Sequence, residues 1–344
     1  MRATSWQDFR ARASLKPARL ALADGHDPRV VEAAARAQAE RIADPVIIGA
    51  RSTVEPLWKS FSSTRVPCLD PEELSPADRT RLARELLTLR KFKSLSPAQA
   101  DERLNDPLIL GCLLLRTGQA DGFVGGATRT TADTLKAVFS IIGLAPETMT
   151  LFGFFLIEKN KAGGKNPLIL LADCAVTPDP SAKQLANIAI GAAAAFEYFT
   201  EDAAHVALLS FSTHGSAEHD MVKKVQDAVR LAREKVPALV LDGEWQADAA
   251  LDPLSAQMKG VGDSPMAGQA NVLIAPDLNC GNIAYKLIQR VGGCRSVGPV
   301  LWGTARPAND LSRGCSTEDV LDMLALTTLQ TRKTLPLENS AYAS

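Results

Sequence analysis

Short apolar runs, each closed by turn-forming residues, alternate along this chain with longer stretches whose apolar positions recur every three or four residues. The runs Arg19 to Leu22, Pro45 to Ile48, Gly122 to Val124, Leu168 to Leu171, Val206 to Phe211, Leu239 to Leu241, Val272 to Ile274 and Val297 to Leu301 predict buried strands. The stretches Asp27 to Ile42, Pro76 to Lys91, Ser181 to Tyr198 and His219 to Glu234 predict amphipathic helices between them. Parallel strands need a long crossover, and a helix is the compact way to make one, so this alternation predicts a mainly parallel sheet with helices on both faces. The fold class is α/β.

The pattern breaks near Ala145 to Thr150, where a helical segment ends and the apolar Leu151 to Ile157 leads into the polar Glu158 to Asn166. A second break lies near Gly292 to Ser296. A chain that crosses at both points makes residues 1–147 with 297–344 one domain and 148–296 an inserted second domain, and a cleft between two such domains is the default ligand site. The tail after Thr334 is expected to be partly loose.

Composition narrows the function. With 344 residues and 46% hydrophobic content, the chain can bury one large core or two ordinary ones without disulfides or metals. A net charge of −1 with no basic arm argues against nucleic acid and leaves small ligands as the expected partners. The six cysteines are scattered without a C-x-x-C pair, which points away from zinc and disulfides and toward a reducing cytoplasm. Met1 to Trp6 lacks a secretory signal, and apolar stretches such as Ile188 to Phe196 fall short of the roughly 20 residues a membrane span needs. No membrane partner is expected.

Two segments concentrate chemistry. Asn309 to Val320 packs a hydroxyl (Ser312), a guanidinium (Arg313) and several carboxylates just before a helical pattern. Ser316 can cap that helix with Asp319 three residues on, so Asp319 reads equally well as a capping-box carboxylate and as a catalytic base. Asp121 to Lys136 reads as strand, glycine turn and helix start; its glycines allow a close backbone approach, its threonines offer donors, and the helix N-terminus favours an anion such as phosphate. An ordinary capped turn explains the same letters. Cys315 lies in the first segment with no histidine near it in sequence, and a buried thiol is the reading preferred over a nucleophile.

Beyond these, Pro307 to Ser316, Pro276 to Lys286, Leu209 to Thr213, Ala172 to Ala175, Leu241 to Glu244 and Leu89 to Lys91 together resemble the phosphate acetyltransferase and phosphate butyryltransferase family, in particular its acetyl-specific branch. The resemblance implies Ser312, Arg313 and Asp319 as catalytic residues and Arg90 as a contact to coenzyme A. It places Thr130, Thr131, Arg129 and Lys136 at the phosphate, and Asn279, Gly281 and Asn282 at the cleft from the second domain, where a turn-and-cap role fits Asn279 and Gly281 as well. Arg129 and Lys136 depart from the family, which typically shows histidine before the hydroxyl residues and arginine later; a lysine cannot supply a bidentate grip on phosphate.

The same resemblance implies a two-domain α/β/α fold like that of the isocitrate and isopropylmalate dehydrogenases, with an interdomain active-site cleft, and a homodimer. Coenzyme A, acetyl phosphate and phosphate enter as substrates, with no bound cofactor and no metal. The implied reaction is attack of the coenzyme A sulfur on the carbonyl of acetyl phosphate. Reference pKa values of about 3.9 for aspartic acid and 8.5 for a thiol set full proton transfer about 6 kcal/mol uphill, so transfer concerted with attack is expected. The alternatives are a phosphate butyryltransferase or broader acyl preference, a noncatalytic acyl-coenzyme A sensor, and, least supported, a dehydrogenase of the related fold.

Overall fold

The structure, a computed structural model, describes residues 5–146, 148–159 and 167–332. The expected loose tail, residues 160–166 of the polar stretch and the first four residues lie outside the described residues. The chain forms two compact units, one of residues 9–146 and 304–332, the other of 5–8, 148–159 and 167–303.

The first unit opens with α1 (Trp6–Ser14), which begins in the second, and continues through β1 (Ala18–Leu22), α2 (Pro28–Ala39), β2 (Ala43–Ile48), α3 (Arg51–Lys59), β3 (Cys68–Leu69), α4 (Pro76–Thr88), α5 (Pro97–Arg103), α6 (Pro107–Arg116), β4 (Gly122–Gly125) and α7 (Thr131–Ile141). The second contains β5 (Phe152–Glu158), β6 (Leu168–Ala172), α8 (Ala182–Thr200), β7 (His205–Leu209), α9 (Asp220–Lys235), β8 (Val240–Trp245), α10 (Ala247–Leu251), α11 (Pro253–Met258), β9 (Val272–Ile274), α12 (Leu278–Arg290) and β10 (Arg295–Trp302). The chain then returns to the first unit for β11 (Ala308–Asp310) and α13 (Thr317–Gln330). β10 runs unbroken through position 297, so the return falls after Gly303, because cutting this strand would strip its pairing with β5.

In the first unit the five strands are all parallel, in the order β11-β4-β1-β2-β3. Six helix starts are set locally: Asp27, Ser75, Ser96, Asp106, Thr130 and Ser316 cap α2, α4, α5, α6, α7 and α13 with a side-chain oxygen on a free backbone N–H. α13 is buried nearly all round and packs Val320, Leu321, Met323, Leu324, Leu326 and Leu329 away from solvent. At about 1.5–3 kcal/mol for each large side chain, that burial fixes the C-terminal helix against the sheet. Asn309 on β11 adds two donations, to Thr327 Oγ1 at 2.8 Å and Gln330 Oε1 at 2.6 Å.

The second unit carries six strands ordered β10-β5-β6-β9-β7-β8, with β5 antiparallel to both of its neighbours, β10 and β6, and the remaining pairs parallel. The aromatic rings of Phe152, Phe154, Phe199 and Trp302 pack together in its core. Among the described residues no helix is long and apolar enough to cross a membrane.

Candidate active site

In the first unit, β1 leads by way of α2 to β2 on one side of it, whereas β4 and β11 lie on the other. The order therefore reverses between β1 and β4, the place where open parallel sheets leave a crevice at the carboxyl ends of their strands. Three loops meet this edge: 23–27 after β1, 126–130 after β4 and 311–316 after β11. The last two hold most of the residues singled out from the sequence.

The glycine turn after β4 differs from its expected use. Asp24, 2% exposed, accepts from the backbone N–H of Gly126 at 2.8 Å and Ala127 at 3.1 Å through Oδ2, and from the N–H and hydroxyl of Thr128 at 3.1 and 2.6 Å through Oδ1. The protein's own carboxylate thus fills the amide nest that the sequence offered to phosphate. Gly126, at φ +107°, is required here because a Cβ would lie 2.1 Å from Oδ1 of Asp310.

What remains open on this loop begins further along. Thr130 caps α7, its hydroxyl accepting from Asp133 N–H at 3.1 Å and donating to Asp133 Oδ2 at 2.8 Å. Thr131 follows as the first helical residue, partly exposed. Arg129, just before the cap, is exposed and pairs with Asp106 at 3.4 Å; Lys136, on α7, is exposed as well. Both cations act on Asp133, whose carboxyl is held below its ordinary range first by the Thr130 hydroxyl and then by their fields.

The loop after β11 leaves the sheet when Leu311 N–H bonds Gly125 O at 2.7 Å. Ser312 is half-buried and its hydroxyl accepts from Gly314 N–H at 3.3 Å; the Arg313 side chain points to solvent. Asp319 does close a capping box: Ser316 N–H donates to its Oδ2 at 2.8 Å and its own N–H donates to Ser316 Oγ at 3.2 Å. The capping reading is therefore real geometry, yet it occupies one carboxylate oxygen only. Cys315 is buried, and burial pushes its thiol up to about 11 against the pull of Arg29, so little thiolate exists near neutrality.

One residue the sequence reading passed over joins the two loops. Arg29 on α2 pairs with Asp27, and its Nη1 donates to the carbonyls of Arg313 at 3.0 Å and Cys315 at 2.7 Å while Nη2 reaches Ala127 O at 3.2 Å. Behind α13, Arg10 pairs with the buried Asp322 at 2.6 Å, and Glu318 bridges Arg10 and Arg36. Ser312, Arg313, Arg129, Thr130 and Thr131 are thus drawn to one edge of one sheet. Arg90 is exposed in the turn after α4, and no hydrogen bond or ion pair among the described residues links it to them. The signal for Arg29 was present as Asp27-Pro28-Arg29 at the start of a helical stretch.

Asn279, Gly281 and Asn282 belong to the second unit. Asn279 is exposed near the start of α12; Gly281 packs so closely that a Cβ would meet Asp173 O at 2.0 Å, and Asn282 Nδ2 donates to Cys174 O at 3.2 Å. Gly281 and Asn282 therefore tie α12 to the loop after β6.

The sequence profile of the phosphate acetyl/butaryl transferase family matches residues 6–328. The chain belongs to that family. Among its relatives, the phosphate acetyltransferase of Thermoanaerobacterium thermosaccharolyticum is 39% identical over 325 residues, covering 94% of this chain and 98% of that protein. A crystal structure of a phosphotransacetylase from Streptococcus pyogenes superposes with a TM-score of 0.84 at 36% identity, covering 95% of this chain and 97% of the other. More distantly, 4-hydroxythreonine-4-phosphate dehydrogenase from Klebsiella pneumoniae shares the fold at a TM-score of 0.51 and 10% identity, over 92% of this chain and 100% of that one. The family thus carries a dehydrogenase-like α/β fold, as expected from the sequence.

Proposed function

We propose that this member of the family catalyses the reversible transfer of an acetyl group between coenzyme A and inorganic phosphate. The observation that carries the reading is the joining of the β11–α13 loop, with Ser312 and Arg313, to the β4–α7 turn through Arg29, in a chain 39% identical over nearly its full length to a phosphate acetyltransferase. The longer-chain, sensor and dehydrogenase alternatives have no comparable support.

In the proposed reaction the coenzyme A sulfur attacks the carbonyl carbon of acetyl phosphate while its proton passes to Oδ1 of Asp319, the oxygen left free by the cap. The C–O bond then breaks and phosphate leaves with the electron pair. Ser312 orients the sulfur, and Arg313 offsets charge on the phosphoryl group and the developing oxyanion. Thr130, Thr131, Arg129 and Lys136 hold phosphoryl oxygens; Arg90 contacts coenzyme A. Asn279, Gly281 and Asn282 are the second unit's candidates for substrate contact. No step calls for a bound cofactor.

A cytoplasmic homodimer is part of the same reading. Ile283, Leu287 and Val291 stand exposed at four-residue spacing on and just beyond α12, an apolar stripe that a second copy would cover. A single-chain mass by sedimentation would sink the dimer.

The test of the reaction is to mix chelator-treated protein with acetyl phosphate and coenzyme A and follow thioester absorbance. Turnover is expected to survive the chelator, to fall about 10²-fold or more in folded Arg313→Gln, and to fall about 10²-fold in Asp319→Asn. Ser316→Ala, which removes the cap but not the base, separates the two roles of Asp319. No thioester from acetyl phosphate would end the reading.

A further inference from the structure

Asp310 ends β11, two residues before Ser312, and is fully buried. Neither of its carboxylate oxygens is satisfied by a hydrogen bond of normal geometry. Such a group is costly to keep and calls for a reason. Its surroundings are defined on every side. From β4, Gly126 turns its bare Cα to Oδ1, and Gly125 pairs with Asp310 in register; neither offers an ionisable group. α7 contributes the hydroxyls of Thr131 and Thr134, the latter also buried. α13 meets β11 through the uncharged Thr327 and Gln330. The loop after β1 contributes the charge of Asp24, which Arg29 partly offsets.

We propose that Asp310 is a positioning residue for the anionic substrate: its carboxyl, seated between Gly126 and the first turn of α7, sets the grip of the β4–α7 turn on the phosphoryl group, and binding of the acyl phosphate takes up a proton there. The inference rests on the reading of that turn as the phosphoryl holder. Burial pushes the carboxyl up to about 7, with the charge of Asp24 adding to the rise and the hydroxyls of Thr131 and Thr134 holding it back. Near neutrality it is therefore poised between two states. An anion docked at Thr130 and Thr131 adds negative charge within a few residues and favours the neutral acid; by reciprocity, the neutral acid favours the anion. As the pH climbs past the titration of Asp310, two buried carboxylates face one glycine turn, and the anion must bring a proton with it.

The experiment measures KM for acetyl phosphate against pH in wild type, Asp310→Asn and Thr134→Val, with KM for coenzyme A as the control. In wild type the acetyl phosphate KM should rise about fivefold between about pH 6.5 and 8.5. Asp310→Asn keeps the shape of the neutral acid and cannot ionise, so its KM should stay within about twofold across that range. Thr134→Val removes a hydroxyl that favours the anion and should move the rise to higher pH. If Asp310→Asn does not fold, the displacement in Thr134→Val carries the test. An unchanged rise in Asp310→Asn, or no displacement in Thr134→Val, overturns the inference while leaving the acyltransferase in place. No thioester from acetyl phosphate overturns the reaction and this inference with it.

Discussion

Both units seat buried carboxylates at or just beyond the ends of their strands, but they use them differently. In the second unit, Asp173 accepts from the N–H groups of Gly153, Ala175, Val176 and Thr177 at 2.7–3.1 Å. Glu244 accepts from Ser212 Oγ, Gly215 N–H and Gln226 Nε2 at 2.7–3.0 Å. Burial raises Asp173 despite its four amides, whereas for Glu244 the donors outweigh burial and hold it below the ordinary carboxylate range. Both are spent on holding loops. In the first unit Asp24 is spent in the same way, but Asp310 has no such partners, and beside it Ser312, Arg313 and one oxygen of Asp319 remain available. A loop tied down by one saturated carboxylate can present its other groups at fixed positions without being stabilised by them. The chemistry proposed for the first unit rests on that division.

The largest effect should come from removing the saturated carboxylate of the first unit. Asp24→Ala leaves two buried amides, a partly buried one and a hydroxyl without an acceptor across the β1–β4 edge, and should lower unfolding free energy by about 3–5 kcal/mol in denaturant titration. Asp173→Asn, which keeps one acceptor oxygen, should cost about 2 kcal/mol. A loss below about 1 kcal/mol in both would mean these nests do not hold their loops, and the contrast with Asp310 would lose its basis.

The contrast also explains what could be read beforehand. Strands such as Leu168–Ala172 and Val272–Ile274 and helices such as Asp220–Lys235 follow from local periodicity, because apolar burial at spacing two or 3.6 is written in consecutive residues. β3 and β11 were not foreseen; they have two and three residues, and β11 reads Ala308-Asn309-Asp310, polar at two of three positions because Asn309 answers α13, the next helix, and Asp310 faces the Gly126 turn, far away in sequence. Ser312, Arg313 and Asp319 were legible as a dense cluster before a helix. Asp24 and Arg29 were not, since each matters through loops about a hundred and almost three hundred residues downstream. The glycine turn left two readings open for the same reason: its amides are free in sequence and taken in space.

The smallest effect expected concerns the support behind the site. Glu318 bridges Arg10 and Arg36 at the start of α13, next to Asp319, and is held down to about 2, chiefly by Arg36 with Arg10 adding to it. A carboxylate whose folded pKa lies below its unfolded value of about 4.3 contributes stability fully above that value and loses it as pH falls toward the folded one. The window is therefore about pH 4.3 down to about 2. Because the Glu318 side chain is 46% exposed, solvent screening reduces the contribution to about 1 kcal/mol or less. Glu318→Gln should accordingly lower stability slightly at neutral pH and flatten its fall between those limits, with the two proteins converging near pH 2. A stability difference that stays constant from neutral pH to that limit would show that packing of α13, and not charge, is what Glu318 supplies, and the ion bridge would then drop out of the account of how the β11–α13 loop is held.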